Sequence, residues 1–199
     1  MNLVKVRKKG NYMQYTEGCY YHIFNRGAHK EPIFFEEENY RYLISLFTKY
    51  SIQYKVTITA YCCMPNHYHL IVKQNEFGSI ASFLKTVFNA YTQAINKRFS
   101  FSGTLFQGQA KIKEIDSDSY CLQVIRYIHL NPLTAKLVKS LEKWSYSNYL
   151  EWIGKRDESL MDDKLRDSYF KSGEDYRKFV EDYIGEKDKQ NIATYLFDE

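Results

Sequence analysis

The stretch YKVTITAYCCMPNHYHLIVK, residues 54–73, decides the fold because it predicts an antiparallel β-hairpin. Side chains alternate between the two faces of a strand, so the first arm should place one alternate set on a common face: Val56, Ile58, Ala60 and Cys62. Pro65 and Asn66 are typical turn residues, and the second arm, HYHLIVK, then returns beside the first. Flanking strands would put this β-hairpin in the middle of a sheet.

Segments on both sides of the β-hairpin predict the rest of the domain. Aromatic and β-branched residues indicate strands, and apolar residues three and four apart indicate helices. Two more strands are expected over 20–26 and 109–115, and three helices over 36–51, 79–99 and 116–131. Asp116 or Ser117 should cap the third helix, and Pro132 should stop it. The order β-α-β-β-α-β-α is that of a ferredoxin-like α+β fold with an antiparallel sheet and one further helix beside it.

The composition excludes both a disordered chain and a membrane-spanning one. Of 199 residues, 44% are hydrophobic and 17% aromatic, which is enough to bury a core. No run of residues approaches the ~18 consecutive apolar residues of a membrane helix, so we expect a cytoplasmic protein without a membrane partner. The four cysteines form no CxxC pair and are expected to be reduced packing residues.

Charge divides the chain into two parts. Residues 155–199 hold 9 Lys/Arg and 13 Asp/Glu, whereas residues 1–154 hold 19 Lys/Arg and 11 Asp/Glu, a net charge of +8. We therefore predict a domain over 1–154 and a charged helical extension over 155–199, with one or two amphipathic helices in 162–185. A basic body rich in aromatic rings suits a phosphate-rich partner with unpaired bases, although basic surfaces are common in other proteins too.

His67 and His69 are the first candidate functional residues. Because they are two apart on a strand, both should project from one face, opposite to Tyr68 and Leu70. Two neutral imidazoles that converge can bind a divalent metal ion, but a half-exposed pair without a ligand is an equally simple interpretation. The Leu-Ile-Val that follows lacks the Asp and His of HxHxDH metallohydrolases.

The third helix offers side chains that could complete such a site. Tyr127 and Asn131 are four apart and therefore lie one turn apart on the same helical face. Asn131 offers an amide oxygen suited to a hard cation, and Tyr127 offers a hydroxyl beside it, although most of the 19 tyrosines must serve packing. His129 points elsewhere on this helix and is expected to pack or cap.

Two phrases together, MPNHYHLIV (64–72) and YIHLNP (127–132), resemble the single-tyrosine transposases of the HUH endonuclease superfamily. The resemblance covers roughly residues 15–150 and includes YYHIFNRGAHKEPIF, SGTLFQG and WSYSNY. It implies that Tyr127 is the nucleophile and that His67, His69 and Asn131 hold Mg²⁺ or Mn²⁺. It also implies single-stranded DNA with DNA hairpins as substrate, and a 5′-phosphotyrosine with a free 3′ hydroxyl as product. Nearby positive charge should help to ionise the phenol.

The residues expected to contact DNA are mostly basic. They are Lys5, Arg7, Lys8, Lys9, Asn25, Arg26, His29, Lys30, Lys85, Lys97 and Arg98. Relatives commonly have an arginine and an aromatic residue after the phrase LFQ, where this chain has Gln109 and Ala110. This departure makes a noncatalytic, DNA-hairpin-binding derivative an alternative to the strand transferase, and a metal-dependent phosphodiesterase is a third hypothesis. The resemblance allows either a homodimer or a monomer.

Overall fold

The computed structural model describes residues 14–157 and 163–185. Within these ranges the strands and helices follow the predicted order, and the fold is of the predicted α+β class. No helix in this part of the chain combines the length and the hydropathy needed to cross a membrane. The elements are β1 (Tyr20–Arg26), α1 (Glu37–Gln53), β2 (Val56–Met64), β3 (His67–Gln74), α2 (Ile80–Phe99), β4 (Lys111–Ile115), α3 (Asp118–Thr134), α4 (Tyr149–Trp152), α5 (Asp163–Tyr169) and α6 (Gly173–Gly185).

The sheet has the strand order β2-β3-β1-β4, and each neighbouring pair is antiparallel. A two-residue turn at Pro65 and Asn66 joins β2 to β3, as the sequence predicts. β1 and β3 are central strands, and in their register His67 lies opposite Arg26, and His69 opposite Phe24. The ferredoxin-like arrangement therefore places the histidine pair in the middle of the sheet.

Helices cover both faces of this sheet and give it two hydrophobic layers. α1 and α2 pack on the face that carries Tyr68, Leu70 and Val72, none of them more than 1% exposed. α3 packs on the opposite face, against Ile71 and part of β2. Burying a large apolar side chain contributes ~1.5–3 kcal/mol, so these layers hold the strands in register. The histidines project from the α3 face, as their alternation predicts.

A β-bulge in β2 corrects one expectation from the sequence. Ile58 lies opposite Val72 but Ala60 opposite Ile71, so Thr59 is an additional residue in β2. Val56 and Ile58 consequently face α1 and α2, whereas Ala60 and Cys62 face α3. The prediction that all four share one face is wrong, because simple alternation assumes an uninterrupted ladder.

Helix α3 extends further than the sequence predicts. The helix begins after the N-cap Ser117, whose side chain accepts a hydrogen bond from the Tyr120 amide, and it continues through Pro132 to Thr134. Proline removes one backbone donor but leaves the carbonyl groups of this last turn available. The backbone carbonyl oxygen of Asn131 accepts a hydrogen bond from the Ala135 amide at 2.9 Å. The predicted stop at Asn131 is therefore too early.

The last two helices pack against α3. Tyr176 and Val180 are fully buried in the same hydrophobic cluster as Ile128. On the neighbouring turn of α3, the Arg126 guanidinium lies 4.4 Å from the Phe179 ring centre and also contacts the Tyr183 ring. The helical C-terminal region is thus present as predicted, and it braces the helix that carries Tyr127. The domain boundary at residue 154 stays a prediction.

Candidate active site

The structure brings the candidate residues of β3 and α3 together. The rings of His67 and His69 are perpendicular with centres 5.2 Å apart, and the Tyr127 ring meets His69 edge to face at 5.7 Å. β3 supplies both imidazoles because alternate residues share a face, and α3 supplies the phenol because it crosses that face. The three side chains therefore meet within one chain.

Asn131 presents its amide oxygen to this group. Its Nδ2 donates a hydrogen bond to the Tyr127 carbonyl oxygen at 3.1 Å, one turn back along α3. This contact directs Oδ1 towards the Tyr127 hydroxyl, which donates to it at 3.5 Å. Asn131 is only 8% exposed, so its oxygen lies in a sheltered place beside the phenol.

The hydrogen bonds of Asn66 determine the tautomer of His67. Asn66 Nδ2 donates to the Lys30 carbonyl oxygen at 3.1 Å, which turns Asn66 Oδ1 towards His67 Nδ1 at 2.7 Å. Since an amide oxygen only accepts, Nδ1 must carry the proton. Nε2 of His67 then holds the lone pair and is the nitrogen able to bind a metal.

A third histidine, His22 on β1, belongs to the site although the sequence analysis did not select it. Its Nε2 lies 3.1 Å from His69 Nδ1, and the two rings stack with centres 5.3 Å apart. Phe24 lies directly opposite His69, and His22 is two residues before Phe24 on the same face of β1, a diagonal relation that depends on strand pairing and cannot be obtained from one strand alone. The signal available in sequence was a histidine at an alternate position of a predicted central strand.

Burial controls the ionisation of these groups. It lowers the pKa of His67 to about 4, partly offset by a hydrogen bond to Asn131, and it holds the pKa of His69 well below its usual range. Both imidazoles are thus neutral at pH 7, the form that binds metals. Burial also raises the pKa of Tyr127, with a hydrogen bond to Asn131 acting in the opposite direction. In the protein alone, burial thus opposes the ionisation of the phenol that the sequence analysis expected.

The donor set fits a divalent cation with mixed ligands. His67 and His69 would supply neutral nitrogens, and Asn131 an amide oxygen of the kind that hard cations prefer. Within 14–157 and 163–185, no group of three or more His, Cys, Asp or Glu side chains could hold a metal ion. An amide or a substrate oxygen would therefore have to complete the ligand shell.

Three of the residues expected to contact DNA line a cavity beside the histidines. Arg26, His29 and Lys30 border a cavity of about 510 Å³ together with residues of the loop before β4: Thr104, Phe106, Gln107 and Gly108. Arg26 is hydrogen-bonded to Gln107, and its charge acts on His67. Among the residues that the structure describes, no acidic side chain lines this cavity.

The structure separates the other expected DNA contacts from the histidine pair. Asn25 points to the opposite face and is 8% exposed. Its Nδ2 donates to the Gly108 carbonyl oxygen and its Oδ1 accepts from the Arg26 amide, so its expected DNA contact stays a prediction. Lys85, Lys97 and Arg98 lie on α2, in the layer behind the sheet. Lys5, Arg7, Lys8 and Lys9 lie outside the described residues. Gln109 and Ala110, the departure from the family pattern, directly precede β4.

His129 makes packing contacts instead of joining the site. Its Nδ1 lies 2.6 Å from the Tyr176 hydroxyl and its Nε2 2.9 Å from Asn148 Oδ1, and it is fully buried. These partners lie on α6 and just before α4, away from His67 and His69. The packing role expected from the sequence agrees with this position.

Comparisons with known proteins identify the family. The family described as "Transposase IS200 like" matches residues 15–131. A REP-associated tyrosine transposase bound to a REP hairpin has a TM-score of 0.62 with 16% identity, covering 77% of this chain and 97% of that chain. A protein described as a transposase from Deinococcus radiodurans R1 gives a TM-score of 0.41 and 17% identity, over 61% and 95% of the two chains.

No curated protein sequence matches this chain. The first of the two solved structures, at its low identity, shows a shared fold, and the family match rests on the sequence itself. That match spans more than half of the chain and includes both the histidine pair and Tyr127. This chain therefore belongs to the IS200-like transposase family.

Proposed function

We propose that this transposase cuts and rejoins single-stranded DNA that carries DNA hairpins, through a covalent 5′-phosphotyrosine on Tyr127 and with a divalent metal ion. The observation that carries this proposal is the meeting of Tyr127 with His69 and Asn131 in one sheltered place of a single chain. Packing alone does not explain why two imidazoles able to bind a metal and an amide oxygen lie beside this phenol.

The chemical step is an exchange of esters. The Tyr127 hydroxyl oxygen attacks the scissile phosphorus, the bond from phosphorus to the tyrosine oxygen forms, and the bond to the 3′ oxygen breaks. The phenol loses one proton and the departing 3′ oxygen takes up one, so the step needs no oxidant or energy source. Attack by another 3′ hydroxyl on the phosphotyrosine reverses the exchange and joins two DNA strands.

The surroundings of Tyr127 keep its phenol protonated, and therefore weakly nucleophilic, in the protein alone. Burial raises the pKa of the phenol, so it is protonated at pH 7 in the protein alone. Its hydroxyl donates to Asn131 Oδ1, which holds the oxygen on the side of the histidines. A bound Mg²⁺ or Mn²⁺ would supply positive charge that stabilises the developing negative charge on the phosphate and favours the phenolate.

The proposed DNA-binding site is the cavity beside the histidine pair. It is lined by Arg26, His29, Lys30 and the loop before β4. Cationic side chains there can contact phosphates, and Phe106 offers a ring to an unpaired base. The similar solved structure carries a REP hairpin, and we extend a DNA hairpin substrate to this chain. Phosphate contacts position the strand without reading its sequence.

A noncatalytic DNA-binding protein with the same fold is the second candidate. Gln109 and Ala110 favour it, because they replace the arginine and aromatic residue expected after LFQ at the edge of the proposed binding site. Such a protein would bind single-stranded DNA hairpins but would form no covalent product.

One experiment separates these functions. The purified protein is incubated with Mn²⁺ and a single-stranded DNA hairpin labelled in turn at its 3′ and 5′ ends, and the products are run on a denaturing gel. We expect a protein adduct that carries the 3′ label and a free fragment that carries the 5′ label. Tyr127→Phe should abolish the adduct without loss of DNA binding, and Tyr120→Phe on the same helix should retain it.

Each other outcome excludes the proposal. Binding without any cleavage would identify the noncatalytic protein. Cleavage that yields no adduct and survives Tyr127→Phe would identify a phosphodiesterase that uses water. An adduct that persists in Tyr127→Phe would assign the nucleophile to another residue.

A further inference from the structure

We infer that His22 is a positioning residue, which accepts a hydrogen bond from His69 Nδ1 and thereby keeps His69 Nε2 in the metal-binding form. This inference rests on the proposed function, because it concerns the same metal site. It goes beyond that function by assigning the site a third histidine that binds no substrate or metal itself.

The argument begins with a difference between the two candidate ligands. The proton of His67 is placed on Nδ1 by the amide oxygen of Asn66, which can only accept. Nδ1 of His69 instead lies 3.1 Å from Nε2 of His22, a nitrogen that can either donate or accept. The tautomer of His69 therefore depends on the tautomer of His22.

The hydrogen bond between His22 Nε2 and His69 Nδ1 can run in either direction, and only one direction leaves His69 able to bind a metal. If His22 Nε2 accepts, His69 carries its proton on Nδ1, and Nε2 keeps a lone pair on the side of the ring away from His22. If His22 Nε2 donates, His69 Nδ1 must accept, and the proton of His69 moves to Nε2 and blocks it. Metal-binding histidines commonly depend on such a hydrogen bond from the second ring nitrogen.

The fold holds His22 firmly for this role. It lies on β1, a central strand paired with β3 on one side and β4 on the other, and it is 2% exposed. Its ring stacks on His69 and contacts Phe24 with ring centres 4.8 Å apart. Strand pairing and these ring contacts thus hold His22 in a fixed position beside His69.

Two substitutions test the inference on the full chain. In His22→Leu no acceptor remains, so we expect Mn²⁺ affinity, measured by calorimetry or by electron paramagnetic resonance, to fall about 10–100-fold. In His22→Gln the side-chain carbonyl can accept in place of Nε2, and most of the affinity should return. Tyr21→Phe alters the opposite face of the same strand and serves as the matched control, with unchanged affinity.

A second measurement needs no metal. In metal-free, ¹⁵N-labelled wild-type protein, the side-chain nitrogen signals should show His69 protonated at Nδ1. In His22→Leu the signals should show a larger share of the Nε2–H form, while His67 stays protonated at Nδ1. This readout separates a positioning role from a general loss of stability.

Specific results would overturn the inference. They are an Nε2–H tautomer of His69 in the wild type, unchanged Mn²⁺ affinity in His22→Leu, or an equal loss of affinity in His22→Gln and His22→Leu. If the wild type binds no Mn²⁺ at all, the metal part of the proposed function fails, but the nitrogen signals still decide whether His69 donates to His22.

Discussion

At the scale of single residues, burial decides which histidines are charged. Burial lowers the pKa of His22 to about 3 and those of His67 and His129 to about 4. An exposed histidine in an unfolded chain titrates near 6.5. Between these values the unfolded chain binds more protons than the folded protein, so the free energy of unfolding falls as the pH decreases. The same burial that keeps the two proposed metal ligands neutral makes the fold sensitive to acid.

His129 gives the clearest test of this sensitivity. Its pKa shift implies that the wild type loses about 3 kcal/mol of unfolding free energy through this residue between pH 7 and pH 4. We expect His129→Gln to be less stable at pH 7 but to show a shallower decline towards pH 4, measured by urea unfolding. Val124→Ala, which makes a cavity on the same helix, should lower stability without changing the slope. Equal slopes in His129→Gln and the wild type would contradict this account.

At the scale of elements, the β2 bulge and the segment before α4 form one structural unit. Asn148 is fully buried, and its Oδ1 accepts from the Tyr61 amide at 2.8 Å while its Nδ2 donates to the Thr59 carbonyl at 3.0 Å. Trp152 donates to the same carbonyl at 3.1 Å. These contacts hold the additional residue of β2, which turns Ala60 and Cys62 towards α3.

Removing the Asn148 side chain should therefore be costly. Asn148→Ala leaves the Tyr61 amide without its acceptor and also removes the partner of His129 Nε2, so we expect about 3 kcal/mol lower unfolding free energy by urea denaturation. Asn89→Ala, at an exposed position of α2, should change stability by less than about 0.5 kcal/mol. A loss below about 1 kcal/mol in Asn148→Ala would show that the bulge does not depend on this residue.

At the scale of the whole molecule, one chain contains every part of the candidate site. β1 and β3 supply the histidines, α3 supplies Tyr127 and Asn131, and α6 braces α3 through Tyr176 and Val180. The phenol already lies beside the histidines of its own chain. We therefore expect the tyrosine and the metal ligands of a single chain to act together, whether the protein is a monomer or a dimer.

Mixing two inactive variants tests this arrangement. Tyr127→Phe lacks the proposed nucleophile, and His67→Ala lacks one proposed ligand. If each chain builds its own site, a mixture of the two variants should form no DNA adduct in the 3′-label assay. Mixtures of either variant with wild-type protein should retain adduct in proportion to the wild-type content. Recovery of adduct in the mixture of variants would show that the tyrosine of one chain serves the histidines of another.

Local periodicity explains what the sequence by itself determined. The two-residue period of a strand places His67 and His69 on one face, and the helical period places Tyr127 and Asn131 one turn apart. Turn residues located the β-hairpin, and the order of strands and helices was sufficient for the α+β fold class. Each of these features depends on residues close together in the chain, whose geometry the backbone fixes.

Only the tertiary structure decided the features that depend on distant residues. His22 and His69 are 47 positions apart and meet through strand pairing, and the bulge at Thr59 is held by Asn148, 89 positions away. Asn25 is also buried by its surroundings, although its polar side chain suggested a DNA contact. Such contacts follow from the packing of whole elements, because hydrogen bonding and burial of distant groups leave no period in the sequence.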